Sequence, residues 1–305
     1  LYLNDDLSES IALAHDLGHP PYGHAGEDVL STLMKDHGGF NHNEQSLRIV
    51  TYLEKNYPNF TGLNLTFETL EGIIKHNGPF KRNQNIPETV LKLQEINDFN
   101  LYKFPSAEAQ VANICDDIAY VSHDLNDGLK SKLLSLEEIE TIPLIKKIMK
   151  LNQNIFNKDN KKIYIDLIAR NLINYFVYDL VSKSSDVLNK NKFSKANDIR
   201  NYNELVIKMN NDTYKSLLNI KSFLLQKMYK NNVILQELSH CSEKISKMFY
   251  FLVENPLKLP KRWHCEGDIF ILDFDIGTRS RIVCDYIAGM TENFFHKNYN
   301  FFKLN

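Results

Sequence analysis

The chain has 305 residues, of which 43% are hydrophobic and 24% are charged, and its formal net charge is −2. This length allows a large buried core. The chain lacks the strong positive charge that is typical of proteins with nucleic acid as an obligatory partner. No apolar run reaches the roughly 18 residues of a membrane span, and the N-terminus lacks the basic start of a signal peptide, so we expect no membrane association.

The four cysteines are far apart and form no C-x-x-C pair: Cys115, Cys241, Cys265 and Cys284. This spacing is typical of reduced, mostly buried thiols, and it argues against a disulfide framework or a cysteine-based zinc site. Together with the lack of an apolar span, it predicts a cytoplasmic protein.

The first predicted element is a short helix that ends in a histidine-rich turn. Ser8 caps an apolar segment, and Gly18 with the Pro20–Pro21 pair stops the helix. The stretch 12–27 reads ALAHDLGHPPYGHAGE and contains five side chains that can bind metal or transfer protons: His15, Asp16, His19, His24 and Glu27. Glu27 follows His24 by three residues, a spacing at which a carboxylate can hold an imidazole on one helix face. So dense a group favours a functional site over unrelated surface histidines.

The next elements are predicted to be helical. Apolar residues at helical spacing predict helices over 25–36, 46–57 and 67–76, and a mostly irregular segment over 80–105 with a short helix near 88–96.

A longer helix is predicted over 106–125. Asp116, Tyr120 and Asp124 follow one another at four-residue intervals on this helix and form a polar stripe beside an apolar face that includes Cys115. By itself, this stripe fits a solvated face as well as a functional one. Asp117 lies about 100° away around the helix and is the weaker candidate for a metal ligand.

The remaining chain is predicted to be helical as well. Breaks are expected near 184–203 and 209–212, a single short strand is expected within 267–276, and a final helix is expected over 278–295. We therefore predict an all-α protein with at most a minor β element. It forms one domain over 1–305, with the core metal site in 1–130 and a helical C-terminal part over 131–305.

The sequence resembles the dGTPase-like deoxynucleoside triphosphate triphosphohydrolases of the HD superfamily. His15–Asp16 within AHDLGHPPYGHAGE matches the family signature. The resemblance continues in order through GGFNHNEQSLRIV (38–50), GLNLTFETLEGIIKH (62–76), NICDDIAYVSHDLNDG (113–128), ENPLKLP (254–260) and CDYIAGMT (284–291). It covers most of the chain, is weakest over 130–250, and implies the HD-domain helical fold.

This resemblance implies a divalent metal ion held by His15, Asp16 and Asp116. The family carries a further ligand, an upstream histidine, that has no counterpart in the sequence. We therefore expect an N-terminally incomplete chain that binds metal weakly. A ligand set of imidazoles and carboxylates suits Mn²⁺, Fe²⁺, Co²⁺ or Mg²⁺ and does not choose among them.

The resemblance also implies a reaction, in which a dNTP is cleaved between its 5′-oxygen and α-phosphorus to give deoxynucleoside and triphosphate. His24, oriented by Glu27, is expected to transfer the proton, with His19 beside it in the catalytic group. The implied substrate-binding residues contact phosphate or deoxyribose: His42, Tyr120, Asp124, Arg279 and Arg281. Tyr120 against C2′ would leave no room for a 2′-hydroxyl.

Two other functions fit part of the sequence. One is an HD-type nucleotide phosphodiesterase or nucleotidase, against which the Tyr120 and Asp124 pair and the HPPYGHAGE turn argue. The other is a non-catalytic nucleotide-binding subunit, which the absent first histidine supports. The resemblance further implies a homo-oligomer, often a hexamer, and single-stranded DNA as a partner in some members.

Overall fold

The structure, a computed structural model, describes residues 1–152, 154, 160–267 and 269–304. The fourteen α-helices within these residues, α1 to α14, are Asp5–Ala14, His24–Leu33, His42–Arg48, Phe67–Lys75, Glu88–Ile96, Ala107–Lys130, Leu136–Ile139, Pro143–Leu151, Lys161–Asn191, Ala196–Arg200, Asn211–Leu224, Asn232–Glu254, Ile276–Ala288 and Glu292–Phe301. The predicted all-α fold is confirmed. Across the described part of the chain, none of these helices has the length and apolarity to cross a membrane.

The β structure within the described residues is one short antiparallel pair. Strand β1 (Cys265–Glu266) pairs with β2 (Ile269–Phe270), and Gly267 between them has a φ of 59° that suits a tight turn. The single strand expected within 267–276 corresponds to β2, which has only two residues, and its partner β1 precedes that range. Residues Ile271–Asp273 form a 3₁₀ turn instead.

The prediction of one continuous helix over 278–295 is wrong, because the structure has two helices there, α13 and α14. The Thr291 side chain accepts a hydrogen bond from the backbone N–H of Phe294, so it caps a new helix after the break at Gly289. The break expected from residue 184 is also displaced, since α9 continues as far as Asn191.

The cysteines are free, as predicted, but the expectation that they are mostly buried is wrong. Cys115 and Cys265 are exposed, Cys241 is half-buried, and Cys284 is buried. Cys115 lies on the exposed side of α6, because that helix buries a face formed by other residues: Ile118, Val121 and Leu125.

The described residues form two compact units. The first unit comprises Leu1–Ala12, Lys75–Arg82 and Asn100–Leu235, and the second comprises Leu13–Ile74, Asn83–Phe99 and Gln236–Asn305. A single domain over 1–305, with its core site in 1–130, stays a prediction.

The core of the first unit is built mainly on the two long helices α6 and α9. Their buried side chains include Ile118, Val121 and Leu125 from α6 and Ile168, Leu172 and Phe176 from α9. The buried Gln110 side chain, also on α6, accepts hydrogen bonds from the backbone N–H groups of Val206 and Ile207. This core therefore fixes α6, which carries three of the predicted site residues.

The core of the second unit joins α2 to the C-terminal helices. Its buried side chains come from α2, α12, α13 and α14 and include Leu30, Met248, Val283 and Phe295. Arg48 at the end of α3 pairs with the buried Asp285 of α13, with an Nε–Oδ1 distance of 3.2 Å. Glu44 of α3 accepts hydrogen bonds from the backbone N–H and hydroxyl of Thr89. Helix α3 is thus held in place from both sides.

Candidate metal centre and active site

The His15–Asp16 pair lies in the turn that follows α1. His15 is buried, and its Nε2 atom lies 3.3 Å from Oδ2 of Asp16, whose side chain is 45% exposed. Gly18 allows this turn to approach α3 closely, because a Cβ atom at that position would lie 2.1 Å from the carbonyl oxygen of His42. The turn therefore presents an imidazole and a carboxylate side by side, from a backbone packed against α3.

A second turn brings the chain to His24 at the first position of α2. Tyr22 and Gly23 have φ angles of 68° and 57°, which reverse the chain after the two prolines. Gly26 packs on the same turn, since a Cβ there would lie 2.1 Å from the carbonyl oxygen of Pro21. This packing sets the direction of α2 and places Glu27 one helical turn after His24.

Four of the predicted site residues form one cluster: His19, His24, Glu27 and His42. Each offers a nitrogen or oxygen atom within 4.8 Å of those of the others. The rings of His19 and His42 are stacked at 4.0 Å, and His24 meets both rings edge-on. The structure thus brings together two residues predicted as catalytic histidines, the carboxylate and one residue predicted to bind substrate.

Glu27 is the centre of this cluster. Its Oε2 atom lies 3.1 Å from Nδ1 of His24 and 2.7 Å from Nδ1 of His42, and its Oε1 atom accepts from the backbone N–H of His42 at 2.9 Å. Because an ionised carboxylate only accepts hydrogen bonds, both Nδ1 atoms act as donors. Nε2 is then the nitrogen of each ring that can exchange a proton with a substrate. The sequence spacing predicted the contact with His24, whereas the contact with His42 was not predicted.

These contacts shift the pKa values of Glu27, His24 and His19 in different ways. Burial acts to raise the pKa of Glu27, but hydrogen bonds from His24 and His42 outweigh it and hold that pKa far below its ordinary value. The hydrogen bond to Glu27 raises the pKa of His24, whose side chain is 77% exposed. Burial, followed by the neighbouring His42, lowers the pKa of His19. His24 therefore retains a proton at a higher pH than His19 does.

Replacing Glu27 with glutamine should lower the pKa of His24, because the amide carries no charge and accepts a weaker hydrogen bond. Titration of the histidine ring protons by NMR would measure the change. The matched control is Asp28→Asn, which removes an exposed charge whose effect on His24 is smaller. An unchanged pKa for His24 in the Glu27→Gln protein would show that Glu27 does not control its protonation.

The predicted sugar contacts, Tyr120 and Asp124, lie on α6 in the first unit and are half-buried. Asp116, predicted as a metal ligand, lies on the same helix and is exposed. Tyr229 donates a hydrogen bond to the carboxylate of Asp124, and its ring stacks on Tyr120 with 6.0 Å between centroids. Burial raises the pKa of Asp124 and, with the bond to Asp124, that of Tyr229. Tyr229 is a candidate that the sequence predictions missed.

The side chain of Lys221 lies next to this stripe on α6. Lys221 lies 2.5 Å from Asp117 and 5.5 Å from the centre of the Tyr120 ring. Asp117 therefore has a lysine partner, which agrees with its lower rank as a metal ligand. Tyr229 lies in a π-helical turn (Leu225–Tyr229) that follows α11, and no periodic pattern in the sequence singles it out.

The two arginines predicted to bind triphosphate lie on α13, the penultimate helix. Arg279 donates to the carbonyl oxygens of Leu272 and Phe274 at 3.3 and 3.1 Å. Arg281 donates to the carbonyl oxygens of His37, at 3.2 Å, and Gly39. Both guanidinium groups thus bind backbone carbonyls, and their contact with phosphate stays a prediction.

The donor atoms fit a divalent metal of borderline or hard character. His15 and Asp16 offer nitrogen and oxygen, and the groups of metal-binding side chains found among the described residues contain no thiolate. Such donors suit Mn²⁺, Fe²⁺, Co²⁺ or Mg²⁺, whereas structural zinc sites usually include cysteine.

Comparison with known proteins gives consistent matches along the chain. The model of the HD domain matches residues 1–121, and that of the phosphohydrolase-associated domain matches residues 207–300. The chain is 38% identical to the deoxyguanosinetriphosphate triphosphohydrolase-like proteins of Rickettsia peacockii (strain Rustic) and Rickettsia conorii (strain ATCC VR-613 / Malish 7) and 37% identical to that of Rickettsia typhi (strain ATCC VR-144 / Wilmington). Each match covers 98% of this chain and 77% of the relative. The chain therefore belongs to the deoxyguanosinetriphosphate triphosphohydrolase-like family of the HD superfamily, a group of metal-dependent phosphohydrolases.

Proposed function

We propose that this protein hydrolyses deoxynucleoside triphosphates to deoxynucleoside and triphosphate. The observation that carries the proposal is the Glu27 carboxylate bound to both His24 and His42, close in sequence to the His15–Asp16 pair. The substrate class is supported by the name that the relatives bear and by the resemblance of residues 113–128 to the sugar-binding segment of the family.

His15 and Asp16 are proposed as ligands of the metal ion, and Asp116 is proposed as a further ligand on the resemblance of its segment. A divalent ion held by these residues would polarise a phosphoryl oxygen and lower the pKa of a bound water molecule.

His24 is proposed as the acid that protonates the leaving group. As water adds to the α-phosphorus, the bond from phosphorus to the 5′-oxygen breaks, and the Nε2 proton of His24 passes to that oxygen. Glu27 accepts a hydrogen bond from Nδ1 of His24, which keeps the ring in one orientation and raises the pKa of His24. The neutral imidazole of His24 can then accept the proton that the attacking water loses.

His19 and His42 are proposed to bind phosphate oxygens next to this group. The pKa of His19 is lowered, so its ring is neutral at pH 7 and can donate one hydrogen bond to an oxygen without a formal charge. The stacking of the two rings and the bond from His42 to Glu27 restrict their orientation.

Tyr120, Asp124 and Tyr229 are proposed as the sugar contacts. Asp124 can accept a hydrogen bond from the 3′-hydroxyl, and the bond from Tyr229 fixes the direction of its carboxylate. The ring of Tyr120 against C2′ would exclude a 2′-hydroxyl, and the stacked Tyr229 ring supports it from behind.

Incubation with dGTP, dATP, dCTP or dTTP and Mn²⁺ is expected to yield deoxynucleoside and intact triphosphate from at least one of them. The matching ribonucleotide should give little product, because the proposed position of the Tyr120 ring against C2′ would exclude its 2′-hydroxyl. Separation of the products by ion-exchange chromatography checks both points. Release of pyrophosphate with monophosphate, or equal turnover of GTP and dGTP, would contradict the proposal and favour a phosphodiesterase or nucleotidase.

A further inference from the structure

One buried hydroxyl, that of Ser46, connects the turn that carries His15 and Asp16 to the helix that carries His42. The Ser46 residue has no exposed surface. Its Oγ atom donates a hydrogen bond to the carbonyl oxygen of His15 at 2.6 Å and accepts one from the backbone N–H of Gly18 at 2.9 Å. The hydroxyl therefore binds the turn at two points.

Both of these backbone groups lie just beyond the last residue of α1, Ala14. Carbonyl and N–H groups past a helix end lack partners within the helix, and a buried group of this kind needs a hydrogen bond from elsewhere. Ser46 provides that bond to one acceptor and one donor at once. The shape of the turn thus depends on a side chain that is 31 residues away from His15 in the sequence.

The turn also lies directly on the backbone of α3. A Cβ atom on Gly18 would come within 2.1 Å of the carbonyl oxygen of His42 and 2.4 Å of the backbone nitrogen of Ser46. With no side chain between the two backbones, a small movement of either one is transmitted to the other.

Helix α3 is itself fixed at each end. Asn41 accepts from the backbone N–H groups of Asn43 and Glu44 at 3.0 and 3.3 Å and so caps its start. Arg48 at its end is paired with the buried Asp285. Ser46 therefore attaches the turn to a helix whose position is already set.

We propose that Ser46 is a positioning residue that fixes the metal-binding pair relative to the His42–Glu27 pair. The inference rests on the proposed function for its catalytic consequence. Side chains that orient metal ligands without touching the metal typically contribute 10–100-fold to metal affinity or activity. Ser46 acts in this way on the backbone of His15 and, through the turn, on Asp16.

Ser46→Ala tests this role because it removes the hydroxyl and leaves almost the same volume. Ser184→Ala is the matched control. Ser184 is also fully buried, and its hydroxyl donates to the carbonyl oxygen of Lys208 at 3.4 Å and accepts from the Lys208 N–H at 3.1 Å. Ser184→Ala therefore loses the same kinds of hydrogen bonds as Ser46→Ala, but the backbone partner, Lys208, is not a predicted site residue.

The first measurement is the dissociation constant for Mn²⁺, by calorimetry without nucleotide. We expect about 10–100-fold weaker binding in Ser46→Ala and unchanged binding in Ser184→Ala. The second measurement is steady-state kinetics with a dNTP at saturating Mn²⁺, where Ser46→Ala should lower kcat and leave KM nearly unchanged.

Ser46→Cys covers the case in which the alanine variant does not fold, because a thiol fills the space and forms only weak hydrogen bonds. Wild-type Mn²⁺ affinity in a folded Ser46 variant, or an equal loss in Ser184→Ala, would overturn the proposal. Failure of both Ser46 variants to fold would also overturn it and assign Ser46 to stability alone. Because the binding measurement uses metal alone, a protein that binds Mn²⁺ as expected but cleaves no dNTP would refute only the proposed function.

Discussion

Replacing His24 with alanine is expected to lower kcat for dNTP hydrolysis by about 10²–10⁴-fold, the usual contribution of a positioned acid or base. His24 is the most exposed member of its cluster, and Glu27 raises its pKa, so it is suited to deliver a proton to a substrate. His24 is not one of the proposed metal ligands, His15 and Asp16. Metal content and dNTP binding should therefore remain close to those of the unmodified protein.

Three measurements check this expectation: steady-state kinetics, metal analysis of the purified protein, and equilibrium binding of a dNTP. The matched control is His240→Ala, which removes an exposed histidine with no predicted role and should leave kcat unchanged. A His24→Ala protein with normal kcat would refute the assigned proton transfer. One that had lost its metal would place His24 among the ligands.

Replacing Asp16 with alanine should weaken Mn²⁺ binding by more than about 100-fold and abolish turnover, since even residues outside the ligand set are worth 10–100-fold. The Asp16 carboxylate lies beside the imidazole of His15 and is partly exposed, so its loss should affect the fold little. The predicted change is in the metal site and not in stability.

Calorimetric titration with Mn²⁺ and thermal unfolding of the same samples separate these effects. Asp28→Ala removes an exposed carboxylate from α2 and serves as the control, with normal Mn²⁺ affinity expected. If the Asp16 and His24 variants had the same metal content and the same kcat, the division between metal binding and proton transfer would be wrong.

Features that depend on residues close together in the chain could be predicted from the sequence alone. Helical spacing of apolar residues predicted most helices, and α5 has the bounds expected for it. The three-residue interval from His24 to Glu27 predicted their contact, because one helical turn brings those side chains to the same face. The four-residue intervals on α6 placed Tyr120 and Asp124 on one stripe for the same reason.

The distant groups that contact these residues became visible only in the folded structure. His42 joins Glu27 from 15 residues away, Ser46 binds the turn at His15 from 31 residues away, and Tyr229 binds Asp124 from 105 residues away. Spacing and capping rules act over one or two helical turns, whereas these contacts depend on how complete helices pack against one another. The sequence pointed to His15, Glu27 and Asp124 as candidates, but the partners of these residues depended on the packing of the core.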